Sequence, residues 1–350
     1  YNTPYLEVFL HHNTRFKNEF GVYSKYQASQ NNISNTFLNS SFSNFNIGAF
    51  YKQEERYFDW KVSLLSKKNE YNWYGLPNIT FNQTTINSID EKQTYNYLKV
   101  KGDFKFHDSF IDYSNLSLAY FTDQFNSQEI LANFNTKLDL PIDFLMPNLN
   151  DISVKTEIEF LQGEFKNNYE GTKKVKYSIL TAKIQPGYKM TYKDFMLEAS
   201  IKTFASFDSE NESTNIFFLP NVKIQRSIYK DYLNFYGGFF SDLKTNTYKD
   251  FSDKNPYISP TIFITQTLEK GNLFVGLNGK ISSHLVYNLK ASSINEEDKP
   301  LFLRNNTRSD GTTSIINGTQ LKGYEYGNSF RIYYDDVKTT SFFGEIEYNL

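Results

Sequence analysis

Val154, Thr156, Ile158 and Phe160 alternate with Lys155, Glu157 and Glu159. A period of two puts the first set on one face of a strand and the charged set on the other. The pattern returns along nearly the whole chain. Leu98, Val100, Gly102, Phe104 and Phe106 alternate with Lys99, Lys101, Asp103 and Lys105. Phe195, Leu197, Ala199 and Ile201 alternate with Glu198, Ser200 and Lys202. Phe342, Ile346, Tyr348 and Leu350 alternate with Glu345, Glu347 and Asn349. Roughly sixteen such stretches can be marked, many of about ten residues or more, the length a strand needs to cross a bilayer. Ordinary globular strands average about five to six residues. Soluble sandwiches and solenoids also alternate apolar and polar residues, so strand length weighs more than alternation.

The connections give a second signal. Links near Asn13–Arg15, Gln53–Glu55, His107–Ser109, Tyr229–Lys230, Ser282–Ser283 and Asp335–Asp336 are short. Longer, polar segments lie between them, the longest near residues 68–92, 163–173, 245–271 and 295–322. Alternating short and long links are expected of a membrane barrel, with turns on the periplasmic side and loops outside. Pro141–Asn150 is long where a short turn is due, and it reads as a short element capping one mouth. The fold expected is therefore all-β: a transmembrane antiparallel up-and-down β-barrel, with residues 1–350 as one domain.

Composition agrees. Tyr and Phe number 27 and 33 and bring aromatics to 18%, which favours strands and argues against disorder. Mean hydropathy is -0.56, as it can be when only alternate residues meet lipid. No apolar run is long enough for a membrane helix. A net charge of -2 without a basic stripe argues against a nucleic-acid partner. The absence of cysteine fits a closed ladder that needs no disulfides, and fits a cytosolic protein equally.

The alternation also fixes an orientation. An Arg or Lys facing lipid at the midplane costs about 2–4 kcal/mol. Leu98, Val100 and Phe104 are therefore assigned to the lipid, and Lys99, Lys101 and Lys105 to the lumen. The same rule assigns Lys155, Glu157, Glu159, Glu198, Lys202, Arg331, Glu345 and Glu347 to the lumen.

Chemistry is sparse. The histidines are His11, His12, His107 and His284. Ser282-Ser283-His284 invites a nucleophilic reading, but neighbours in a strand point to opposite faces and no orienting acid is nearby. There is no metal-ligand, dithiol or phosphate-loop motif. No catalytic residue, metal or cofactor is assigned, and the chain is read as not an enzyme. Asp250 and Asp253 are too few for a calcium ion that takes six to eight oxygens. The long loops carry Trp73, Tyr74, Tyr248, Phe251 and Tyr257, which suit contact with a sugar or protein and equally suit packing into the barrel mouth.

Four segments carry a family resemblance: Tyr71-Asn72-Trp73-Tyr74-Gly75-Leu76-Pro77, Asn255-Pro256-Tyr257-Ile258-Ser259-Pro260, Gly323-Tyr324-Glu325-Tyr326-Gly327-Asn328-Ser329-Phe330 and Tyr334-Asp335-Asp336-Val337. They resemble outer-membrane barrels of Bacteroidota described as TonB-dependent-receptor-like. The resemblance implies the outer membrane of a Gram-negative bacterium. It implies outer-membrane lipid and lipopolysaccharide as surroundings, and other outer-membrane proteins or lipoproteins as candidate partners. Neither a plug domain nor a TonB box is present in these residues, and such receptors have larger barrels, so further strands are expected on either side. The function expected is transport: a pore or channel for small solutes across the outer membrane. The alternative is a structural or accessory subunit of a larger outer-membrane complex for protein insertion, export or nutrient uptake.

Overall fold

The computed structural model describes residues 3–14, 17–30, 32–76, 82–140, 151–169, 175–305, 313–316 and 319–348. In chain order the strands begin β1 (Tyr5–Asn13), β2 (Asn18–Ser29), β3 (Phe42–Glu54), β4 (Phe58–Asn72) and β5 (Lys92–Phe106). Then come β6 (Ile111–Asp123), β7 (Gln128–Leu140), β8 (Asp151–Glu164), β9 (Lys176–Tyr192) and β10 (Phe195–Asp208). The rest are β11 (Ser213–Tyr229), β12 (Leu233–Thr245), β13 (Gln266–Lys280), β14 (Leu285–Arg304), β15 (Thr313–Ile316), β16 (Thr319–Lys322) and β17 (Phe330–Tyr348). Short helices α1 (Gln83–Asn87), α2 (Tyr248–Lys254) and α3 (Gly323–Gly327) sit in the loops.

β1 to β14 and β17 form one 15-stranded sheet in which each strand pairs with its neighbours in sequence. All of these pairings are antiparallel. This is an up-and-down wall. β15 and β16 form a separate hairpin in the last loop.

The wall is strongly curled. Gln266 at the start of β13 donates from Nε2 to Thr181 Oγ1 of β9 at 2.9 Å. Four strand spacings would hold these strands about 19 Å apart in a flat sheet. Ser206 of β10 donates from Oγ to the side-chain Oε1 of Gln266 at 2.6 Å. Among the described residues β1 and β17 do not pair with each other. β1 is exposed along its whole length, so the sheet keeps two open edges.

The two faces follow the alternation. Leu98, Val100, Ile158, Ile201, Leu273 and Phe342 are all large, apolar and exposed on the outside. Inside, Glu157 accepts from Asn133 Nδ2 at 2.7 Å and pairs with Lys183. Lys202 reaches Asp242 at 3.1 Å, and Lys101 reaches Asp103 at 2.6 Å.

Several boundaries differ from the sequence reading. Asp335-Asp336 is not a turn but lies within β17, which runs unbroken from Phe330. That turns sixteen expected strands into fifteen in the sheet. The ladder between β14 and β17 shifts between Glu296 and Lys299, and the faces of β17 exchange there. Below the shift Phe342 and Ile346 face out; above it Ile332 is buried and Tyr333 is exposed. Arg331 pairs with Leu303, which is exposed. Arg331 therefore lies on the outer face and not in the lumen. Glu345 and Glu347, below the shift, keep the inner face.

The last loop starts at residue 305 and not near 295, because Glu296 is paired with Lys299 at 2.5 Å and Glu297 with Lys270 inside the ladder. The long loop after β12 narrows to residues 246–265. The loop after β4 spans 73–91, and that after β8 spans 165–175. A tight turn at Lys193 and Asp194, which alternation does not mark, separates β9 from β10. Lys193 takes a φ of 51° there. Pro141–Asn150 lies outside the described residues.

The facing makes a direct prediction. Ile158→Lys, on the outer face, is expected to destabilise the protein in bilayers by about 2–4 kcal/mol. Lys99→Ala, on the inner face, should stay within about 0.5 kcal/mol. Urea unfolding of the reconstituted protein reads both, and equal effects would reject the facing.

Candidate functional site: a loop cap in the barrel mouth

The loop between β12 and β13 does not stand out from the wall. It turns back and fills the mouth at the long-loop end. Its local geometry begins with Thr247, whose hydroxyl caps α2 by accepting from the Asp250 N–H at 3.0 Å. The capped turn presents Tyr248 and Phe251 inward, each 1% exposed. Farther along, the loop pairs with the start of β17: Phe330 N–H donates to Tyr257 O, and Ser259 N–H to Phe330 O, both at 2.8 Å.

The inner face of the wall is built to receive it. The lumen side is charged along its lower part but becomes aromatic towards the mouth. Tyr71, Tyr95, Phe121, Leu161, Phe165 and Tyr177 join Trp73, Tyr248, Phe251, Ile258, Ile262 and Tyr324 in one buried cluster. The Tyr248 ring meets Phe165 edge-on at 4.9 Å and Phe121 at 5.1 Å, a geometry that adds attraction beyond burial. Phe251 meets Phe302 of β14 at 6.0 Å. Elements from opposite sides of the curled sheet are thus joined through one loop.

Two buried carboxylates hold Tyr248 at both ends. Asp123 accepts its phenol at 2.9 Å, and Glu129 accepts its backbone N–H at 2.7 Å. Glu129 also accepts from the Lys249 N–H at 3.1 Å and the Tyr177 hydroxyl at 2.7 Å. A buried carboxylate is tolerable only with such donors, and these include the free N–H groups at the start of a helix. Tyr177 reaches Glu129 across Gly163, where a methyl group would overlap its ring. A chain of hydroxyls continues outward: Tyr71 donates to Tyr95 at 2.9 Å, and Tyr95 to Pro256 O at 3.1 Å. In the cap itself, burial first and Asp123 second push the Tyr248 phenol well above its usual 10. Burial pushes Tyr257 up to about 12. Both stay protonated donors near neutral pH.

Below the cap the lumen wall borders a cavity of about 780 Å³. It brings together Lys155, Glu198 and Lys202, with Lys137, Asp242 and Glu269. Glu159 lies beside it, sharing Asn133 with Glu157. Lys105 lines a separate cavity with Asp59 and Lys61. Lys99 and Lys101 lie on the same face of β5 as Lys105, and Glu345 and Glu347 lie apart on β17.

Of the loop aromatics, Trp73, Tyr248 and Phe251 are core residues of the cap, and Tyr74 and Tyr257 are partly buried against it. Asp253 pairs with Lys249. His284 lies in the β13–β14 turn with its ring 6.2 Å from Tyr348. Asp123, Glu129 and Tyr177 escape sequence reasoning because each occupies an ordinary inner-face position of an alternating strand. Their partner Tyr248 lies more than a hundred residues away from Glu129.

Neither a protein-family model nor a curated protein matches the chain. Solved structures do. The ferric enterobactin receptor PfeA of Pseudomonas aeruginosa, a Q482A mutant in complex with enterobactin, superposes with a TM-score of 0.62 at 10% identity, covering 97% of this chain and 56% of that one. The siderophore receptor PirA of Acinetobacter baumannii gives 0.61 at 13% identity, covering 94% and 55%. FpvA of P. aeruginosa bound to a heterologous pyoverdine gives 0.58 at 10% identity, covering 98% and 52%. The chain therefore shares a barrel fold with these receptors and spans about half the length of each.

The double grip on Tyr248 sets the next expectation. Glu129→Ala strands two backbone N–H groups and the Tyr177 hydroxyl, and should loosen the cap by about 3 kcal/mol or more. Tyr248→Phe, which removes only the bond to Asp123, should cost about 1–3 kcal/mol. Hydrogen exchange over residues 246–265 measures both. Unchanged protection in Glu129→Ala would show that the carboxylate does not hold the loop.

Proposed function

We propose that this chain forms the wall and the closed mouth of an outer-membrane transport barrel for a small solute. The observation that carries the reading is the pairing of a lipid-facing apolar outer face with a charged inner face that borders a cavity beneath a packed loop. The likeness in fold to siderophore receptors of two Gram-negative bacteria supports the outer membrane as its location and transport as its class. The cap favours a gated path over an open pore. Lys155, Glu198 and Lys202 would meet the solute once the cap withdraws. Their mixed charge suits a polar solute.

A second reading has its own support. An unpaired strand edge is not tolerated in lipid, and β1 and β17 each present one. Both edges call for further strands beside them, which favours a place within a larger wall or assembly with other outer-membrane proteins.

Conductance in a planar bilayer tests the first reading. The intact protein should stay near baseline, and replacing residues 249–264 by a short Gly-Ser linker should open a steady current. A steady open current from the intact protein would reject the gate. Silence from the loop replacement, in protein shown to be inserted, would reject the path. Cross-linking through a cysteine placed at Leu10 or Phe343, followed by mass spectrometry of the adduct, identifies what lies beside each edge.

A further inference from the structure

The inner face of β8 presents three different polar groups in order: the Asp151 carboxylate, the Ser153 hydroxyl and the Lys155 ammonium. They are two residues apart, so all three share the face that borders the cavity below the cap, about 13 Å from first to last. β10 repeats the order with Glu198, Ser200 and Lys202. Register sets the two columns level, because Ser153 and Ser200 are both opposite Gly187 of β9. At that height β9 puts no side chain between the columns, which leaves a trough over Gly187.

The columns differ in what they are tied to. On β10, Glu198 lies 3.7 Å from Lys189 and opposite Lys223. Ser200 accepts from Gln185 Nε2 at 3.0 Å, and Lys202 lies 3.1 Å from Asp242. On β8, none of the three side chains has a hydrogen-bond or ion-pair partner among the described residues. The remaining charges of the cavity wall are matched. Lys137 lies 2.8 Å from Asp112 and 2.9 Å from Asp139, and Glu269 lies 2.5 Å from Lys244. Lys155 stands directly opposite Lys137 in the ladder, a like-charge placement that a bound anion would relieve.

Five lysines and five carboxylates line the cavity, so it carries no surplus of either sign. What internal pairing leaves over on β8 is one carboxylate and one ammonium, set apart along the strand. A ligand of a single charge leaves one of them unanswered. A ligand that answers both carries two opposite charges of its own. Its length follows from the strand. About 13 Å between the two positions, less a contact of about 3 Å at each end, leaves about 7 Å. Two extended residues span up to about 7 Å and three up to about 10 Å, and the flexible Lys155 stem takes up the difference.

We propose that the Asp151–Ser153–Lys155 column binds a short zwitterionic peptide of two or three residues with free termini. The peptide carboxylate meets Lys155 on the side of the mouth, and its ammonium group meets Asp151 towards the short turns. Ser153 faces the peptide units between them, and the trough over Gly187 leaves room for its side chains. The inference rests on the reading of this wall as the lining of a solute path, and it names the class of solute.

The test is calorimetry on the full chain in neutral detergent, with the loop-replaced variant beside it so that a seated cap does not mask the site. The probes are trialanine, its N-acetyl form, its C-terminal amide, free alanine and maltotriose. Trialanine should bind about tenfold tighter than either blocked form. Lys155→Gln should erase the preference for the free carboxylate and keep that for the free amine; Asp151→Asn should do the reverse. The preference that each variant keeps shows that its wall is intact. Glu347→Gln, on β17, should change neither. Equal binding of free and blocked peptides, or a preference that survives its own substitution, overturns the proposal. So does the loss of both preferences in each variant, or binding of alanine or maltotriose as tight as that of trialanine. Conductance keeps the premise separate. A steady current through the loop-replaced protein without peptide selectivity defeats the binding site alone. Selective peptide binding without current defeats the solute path and leaves the site standing.

Discussion

A peptide group out of reach of water must find its partner within the protein, and the sheet answers that constraint. Each interior strand of the sheet spends both of its hydrogen-bonding edges on sequence neighbours. Side chains are then free to serve two solvents at once, with apolar groups outward and charges inward. The cap obeys the same rule at smaller scale. Its helix start is inserted where there is little water, and Glu129 supplies the acceptors that water would have given.

The wall was largely readable from the sequence because its signal is local. Alternation in Leu98–Phe106 or Val154–Phe160 needs no distant partner to be recognised. The sheet departs from that reading where register intervenes. Asp335-Asp336 looks like turn chemistry, yet it sits where the ladder slips and β17 continues through it. The same slip moves Arg331 to the outer face, since alternation carries no memory across an irregular step.

The cap was readable only in its ingredients. Trp73, Tyr248 and Phe251 stand out as loop aromatics, but sugar contact and packing share that composition. In the structure they share one buried cluster with Tyr95, Phe121 and Tyr177, which lie on other strands. Glu129 and Asp123 look like any lumen carboxylate. Only curvature, which brings β12 and β13 over β6 to β9, turns them into a grip. Curvature is a property of the whole sheet and not of any one segment.

The bond between Glu129 and Tyr248 spans 119 residues of chain. A contact of such long range carries a loop-closure cost that pairing of the intervening strands lowers. The strands between them bring the two residues together once they have paired. On the proposed reading as an outer-membrane barrel, a wall that has inserted but not yet seated its loop would be a hole in the membrane. On that reading the order of assembly bears on permeability as much as the finished structure does.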